Sequence, residues 1–127
     1  MEKRFYWGTG ILALLLILSI LGAVCMKSIH HPGEEDLQAA AELALTENVS
    51  EAIALAEKAR ENWNRWRPFT AALADHTPMD ETENRFAEME VFAAAEESVH
   101  FSACCLELSN MLKAMYDAHC FTLWNIL

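Results

Sequence analysis

The chain has 127 residues, is 54% hydrophobic and carries a formal net charge of −10. Residues 27–127 alone hold 7 Lys and Arg against 18 Asp and Glu, a formal charge of −11. That balance argues against nucleic acid as a partner, since phosphate affinity comes from clustered Lys and Arg, and against lying flat on an anionic membrane surface. The acids fit a solvated face that keeps the module soluble. Three prolines, four glycines and no strand-like alternation point to an all-α chain.

Residues 1–4 form a short start with Lys3 and Arg4. Phe5–Met26 then runs for 22 residues without a charge. An apolar run of about 18 or more residues spans a bilayer core as a helix, whose backbone groups pair internally. Phe5, Tyr6 and Trp7 suit the interface at its leading edge. The rival reading, a cleaved signal peptide, lacks a small-x-small site, and Val24 is ill-suited before a cut at Cys25. We therefore read residues 5–26 as a retained single-pass anchor in the cell membrane. Lys3 and Arg4 on one side, and Lys27 followed by Glu34, Glu35 and Asp36 on the other, favour a cytoplasmic N-terminus with the larger part outside.

Residues 27–33 read as a linker, because Pro32 and Gly33 are expected to break the helix. His30 and His31 are adjacent and so point to different faces. Residues 34–127 read as one extracytoplasmic helical domain, an antiparallel bundle of about four helices. Helix one is expected over Glu34–Glu47, with Leu37, Ala41, Ala44 and Leu45 on its apolar stripe. Asn48 and Glu51 form a capping-box pattern for helix two, about Val49–Trp66. Its stripe holds Ala52, Ala56, Ala59, Trp63 and Trp66, and we expect both tryptophans in the core. Arg67-Pro68 kinks this helix or starts another. Pro78 ends the segment that follows. Asp80 and Glu83 then cap helix three, which carries Phe86, Met89, Val91, Phe92 and Ala93 to about Glu97. Ser98 is expected to cap helix four, running to about Ala118. Its broad apolar face includes Phe101, Cys104, Cys105, Leu108, Leu112 and Met115. The tail His119–Leu127 is apolar and is expected to dock on the bundle.

These features together, an N-terminal anchor, a helical hairpin ending in Trp63 and Trp66, Asp75-His76, the acidic start at Asp80, two more helices and a terminal Asn125-Ile126-Leu127, resemble a bacterial family of short membrane-anchored proteins, domain of unknown function 4363. The resemblance covers nearly the whole chain. It implies a bacterial inner-membrane protein with an all-helical outer part and implies no activity. This chain is richer in Ala and Cys, and poorer in Lys, through its last two helices than the family pattern, so the paired cysteines do not read as a family function.

Four chemistries are weighed on the residues. Cys104 and Cys105 are helix neighbours and do not form an ordinary disulfide with each other; either could reach Cys120 if the tail folds back, but buried free thiols are the simpler reading. His100 and Cys104 lie one turn apart, and His119 and Cys120 could complete a metal site, yet no paired ligand signature supports it. Glu97-x-x-His100 is a single di-iron half-motif where two are required. Asp75-His76 is no dyad, because adjacent side chains diverge and no third group orients a base. We therefore expect no enzyme activity, no cofactor and no metal. The expected role is an accessory module docking another membrane or envelope protein, with the bilayer engaged through the anchor. The alternative is a metal- or thiol-dependent envelope sensor using His100, Cys104, Cys105, His119 and Cys120.

Overall fold

The computed structural model describes residues 2–73 and 76–126, with side chains through Ala118. Four helices make up the fold: α1 (Glu2–Ala44), α2 (Val49–Leu73), α3 (His76–Ala94) and α4 (Ser98–Ile126). No strand occurs among the described residues, and the chain is an all-α bundle with a long apolar N-terminal helix. Cross-helix contacts fix an up-down-up-down ring. Asp36 meets Lys58, Ala41 meets Ser102, Glu34 meets Tyr116, and Arg85 meets Glu107. In each helix pair the residue numbers rise on one side as they fall on the other.

The core is built from alanines on α1 and α2 and larger groups from α3 and α4. Leu37, Ala40, Ala41 and Ala44 face Ala52, Ala56, Ala59 and Trp63, and Phe86, Met89, Phe101, Cys105, Leu108 and Leu112 fill the centre. Small side chains on α1 and α2 let those two backbones approach closely. The bulk comes from Trp63, Phe86 and Phe101, all buried.

The expected break at residues 27–33 does not occur: α1 is one helix with Pro32 inside it. Pro32 and Ser28, whose carbonyl the proline leaves without its donor, both lie on the exposed side. There, water serves the freed carbonyl, and a helix curving around a core tolerates longer bonds on its outer face. Pro68 is accommodated likewise inside α2, with Pro68 and Asn64 both exposed. Gly33 is buried where three helices converge. A Cβ added there would lie 3.4 Å from Leu112 Cδ1 and 3.7 Å from Asn62 Nδ2, ordinary van der Waals contact, and Gly33 continues the helix instead of breaking it.

Other boundaries also shift. Helix one ends at Ala44 rather than Glu47, and α2 continues past Trp66 to Leu73. Helix three begins at His76, not at Asp80, with Pro78 in its first turn, where a missing N–H is not needed. Asp75 lies outside the described residues. Helix four continues to Ile126 instead of ending near Ala118; whether the side chains of the tail dock also lies outside the described residues. Asn48 does start α2, its carbonyl accepting the Ala52 N–H at 3.0 Å. Glu97, not Ser98, plays that part for α4, accepting from Phe101 N–H at 2.9 Å. Before it, α3 closes with the paired bonds Glu97 N–H to Phe92 carbonyl and Glu96 N–H to Ala93 carbonyl, a Schellman ending. That geometry puts Glu96 at φ 59°, a conformation usually given to glycine.

Candidate functional site

Three groups of chemistry-bearing residues stand out in the bundle. The first surrounds Pro32. Asn62 Nδ2 donates to the Ile29 carbonyl at 2.8 Å, clipping α2 to α1 beside the proline. The Thr70 hydroxyl donates its one proton to the Trp66 carbonyl at 2.9 Å. His30 Nε2 lies 2.9 Å from Thr70 Oγ1, whose proton is already given to Trp66, so the His30 N–H donates to the Thr70 hydroxyl oxygen. His30 is buried against Trp63, ring centroids 5.7 Å apart. On the opposite face, the Tyr116 hydroxyl donates to the buried Glu34 carboxylate. His31, half exposed, stands 3.3 Å from Glu34 and 3.0 Å from Glu35. The two adjacent histidines thus serve different faces, as their sequence positions require. They sit on a helix, not on a solvated linker.

Glu83 anchors a clasp across the α2–α3 seam. Trp63 Nε1 donates to Glu83 Oε1 at 2.7 Å, and Arg67 lies 3.3 Å from that oxygen. Arg60 Nη1 is 3.2 Å from Glu83 Oε2, an ion pair by distance that lacks hydrogen-bond alignment. Its guanidinium also covers the Phe86 ring at 5.1 Å. Each acid here meets a donor, so both clusters read as fastenings between helices rather than as exposed reagents. Sequence reasoning missed them, because their partners are 20 to 82 residues apart. The available signal was Pro32 itself, since a proline inside a helix calls for support from a neighbour.

The third group is the one singled out by sequence. Cys104 and Cys105 are buried free thiols. Burial pushes the Cys104 thiol up, with Glu88 and Glu107 adding to it, and pushes Cys105 up to about 12. Both therefore stay protonated at neutral pH and fill the core as small apolar groups. His100 is on the surface, stacked on Phe92 with centroids 5.2 Å apart. The side chains of His119 and Cys120 lie outside the described residues. Among the described residues no three His, Cys, Asp or Glu side chains converge as a metal site would require. Trp66 departs from its expected core position: it is 37% exposed and meets Phe69 edge-on, whereas Trp63 is buried. Three residues advance a helix by 300°, so Trp66 sits to one side of the stripe that holds Trp63.

One groove opens on the upper α2–α3 seam, about 310 Å³, floored by Ile53, Ala56, Met89, Ala93 and Phe101 and rimmed by Glu57 and Glu90. Its lining holds no nucleophile–base pair.

Residues 24–126 match a family model described as a domain of unknown function (DUF4363). The chain belongs to that family. No curated protein and no solved structure matches it. The DUF4363 span opens at Val24, next to Ala23, the first residue of the buried face of α1. The family's domain is therefore the bundle, and the uncovered apolar half of α1 lies before it.

Proposed function

We propose that the chain is a membrane-anchored, non-enzymatic interaction module of the bacterial cell envelope, with its N-terminus in the cytoplasm and its bundle outside. One observation carries the reading. From Phe5 to Leu21 the large apolar side chains of α1 are uncovered around the whole helix, most of them more than half exposed. About 20 residues of helix measure about 30 Å, the thickness of a bilayer core. Lys3 and Arg4 precede that stretch, and the acids begin only at Glu34, which supports the orientation. Buried, protonated thiols, and the engagement of Glu34 and Glu83 by donors from other helices, support a binding role over catalysis or thiol sensing. The test is co-purification of the full-length protein from its native membrane in mild detergent, with mass spectrometry of what accompanies it. The expected result is one envelope partner in near-equal amount. A preparation that stays empty after crosslinking contradicts the proposal.

A further inference from the structure

At the end of the bundle away from the anchor, the turns and adjoining helix ends expose Glu47, Glu51, Glu96 and Glu97 together with the aliphatic Leu45 and Val99, and no Phe, Tyr or Trp. At the end toward it, the last turns of α2 expose Trp66 at 37%, Phe69 at 37% and Leu73 at 43%. Large apolar groups exposed together on a soluble surface mark a contact site. Exposed cations, Lys27 on α1 and Arg65 on α2, share this end with the exposed acids Asp80 and Glu81 of α3.

Helix register gives the level of this end relative to the apolar run. His30 meets Thr70, so Leu73 comes about level with the last turn of the Phe5–Met26 stretch. Tyr116 meets Glu34 and α4 continues to Ile126, ten residues or about 15 Å further. Counting the same distance back along antiparallel α1 reaches Val24. The backbone ends of α2 and α4 therefore stop beside the point where the apolar run stops. Residues 118–127 of α4 and the C-terminus, AHCFTLWNIL, contain no Asp, Glu, Lys or Arg, in a module of formal charge −11.

From this placement we infer that the anchor-proximal end of the bundle, formed by Trp66, Phe69 and Leu73 of α2 and by the last turns of α4, rests on the lipid headgroup interface as a second membrane contact. The occupant is lipid rather than protein because the surface is continuous with the anchor. Aromatic rings favour the headgroup level, and Lys27 and Arg65 suit lipid phosphates. The bundle thus stands upright on the bilayer. The inference rests on the anchor reading above, and its test separates the two.

Full-length protein is reconstituted into vesicles of phosphatidylethanolamine and phosphatidylglycerol. The vesicles are doped with a phosphatidylcholine bearing a diazirine high on its acyl chain. After irradiation and trypsin digestion, lipid adducts are mapped. Cleavage at Arg4, Lys27, Arg65, Arg85 and Lys113 yields separate reporters. Peptide 5–27 reports the anchor, 66–85 the end of α2, 114–127 the end of α4, and 86–113 the sides and far end. The expected result is labelling of 5–27, 66–85 and 114–127 severalfold above 86–113. The double variant Phe69→Glu, Leu73→Glu is expected to lose most labelling of 66–85 while keeping that of 5–27. Labelling of 5–27 alone overturns this inference and leaves the anchor standing. Absence of label on 5–27 overturns both.

Discussion

Residues 5–21 and residues 23–44 belong to one helix, α1, yet their surroundings are opposite. In the first stretch Leu12 is 67% exposed and Leu18 is 55% exposed; in the second, Met26, Leu37 and Ala40 are fully buried. The backbone does not change at the boundary. What changes is the covering, supplied by α2 and α4 only from Ala23 onward. The difference teaches that the domain boundary in this chain is a matter of burial and not of helix ends. It also means that the two halves are coupled as a single rod, so that any tilt of the first is transmitted to the second.

The sharpest contrast between the halves is in stability. Trp63→Ala removes the largest buried side chain facing α1 and its bond to Glu83, and should destabilise the bundle by about 3–5 kcal/mol. Leu14→Ala, in the uncovered half, should leave bundle stability unchanged. Denaturant titration of the detergent-solubilised full-length protein, followed by tryptophan fluorescence for Leu14→Ala and by circular dichroism for both, checks this pair. If both lost stability equally, the division of α1 would be wrong.

Alkaline pH tests the packed half in another way. Burial holds the Cys105 thiol up at about 12 against 9.0 for a free thiol. The folded state thus keeps a proton that the unfolded chain gives up. Its stabilising share is complete below pH 9 and is lost as the pH rises from about 9 toward 12. Cys105→Ala should flatten that part of the pH–stability curve, and an unchanged curve would show that another group sets it.

The junction is next in size. Asn62→Ala leaves the Ile29 carbonyl without its cross-helix donor, with an expected loss of about 1–3 kcal/mol. Hydrogen exchange should then quicken around residues 27–34 ahead of residues 37–44. Uniform exchange along α1 would deny the clip its role. Glu96→Gly relieves a left-handed backbone at the α3 ending and should add about 1 kcal/mol to the denaturation midpoint energy. The smallest effect belongs to Lys58→Ala. Its pairing with Asp36 at 3.9 Å is largely solvated, so the change should stay below about 0.5 kcal/mol.

Much of this fold was legible in residue spacing. The stripes over Leu37–Ala44, Ala52–Trp63 and Phe101–Met115 are the core, although Leu45 and Val91, also expected on apolar faces, are exposed, and the turns at Asn48 and after Ala94 fall where capping residues cluster. Prolines misled the reading at Pro32 and Pro68. A proline is a local penalty of about 3 kcal/mol in a helix interior, and whether it breaks the helix depends on which side faces water and what neighbours lend support. Asn62 lending a donor to Ile29 across 33 residues of sequence is invisible to local pattern. The same holds for Glu34 and Tyr116, 82 residues apart. The burial of Cys104 and Cys105 was readable from their helical positions, and so was the divergence of His30 from His31. The exposure of Trp66 was not readable, because a position about 60° off the Trp63 stripe is covered or bare according to which neighbouring helix stands beside it.

Alkaline carbonate extraction of native membranes containing the full-length protein tests the central claim most directly, that residues 5–21 are covered by lipid. The high pH weakens the bundle through the buried thiols and strips proteins held by surface contacts alone, so retention reports on α1. The account predicts that the protein stays in the membrane pellet. Its release into the supernatant would contradict the account.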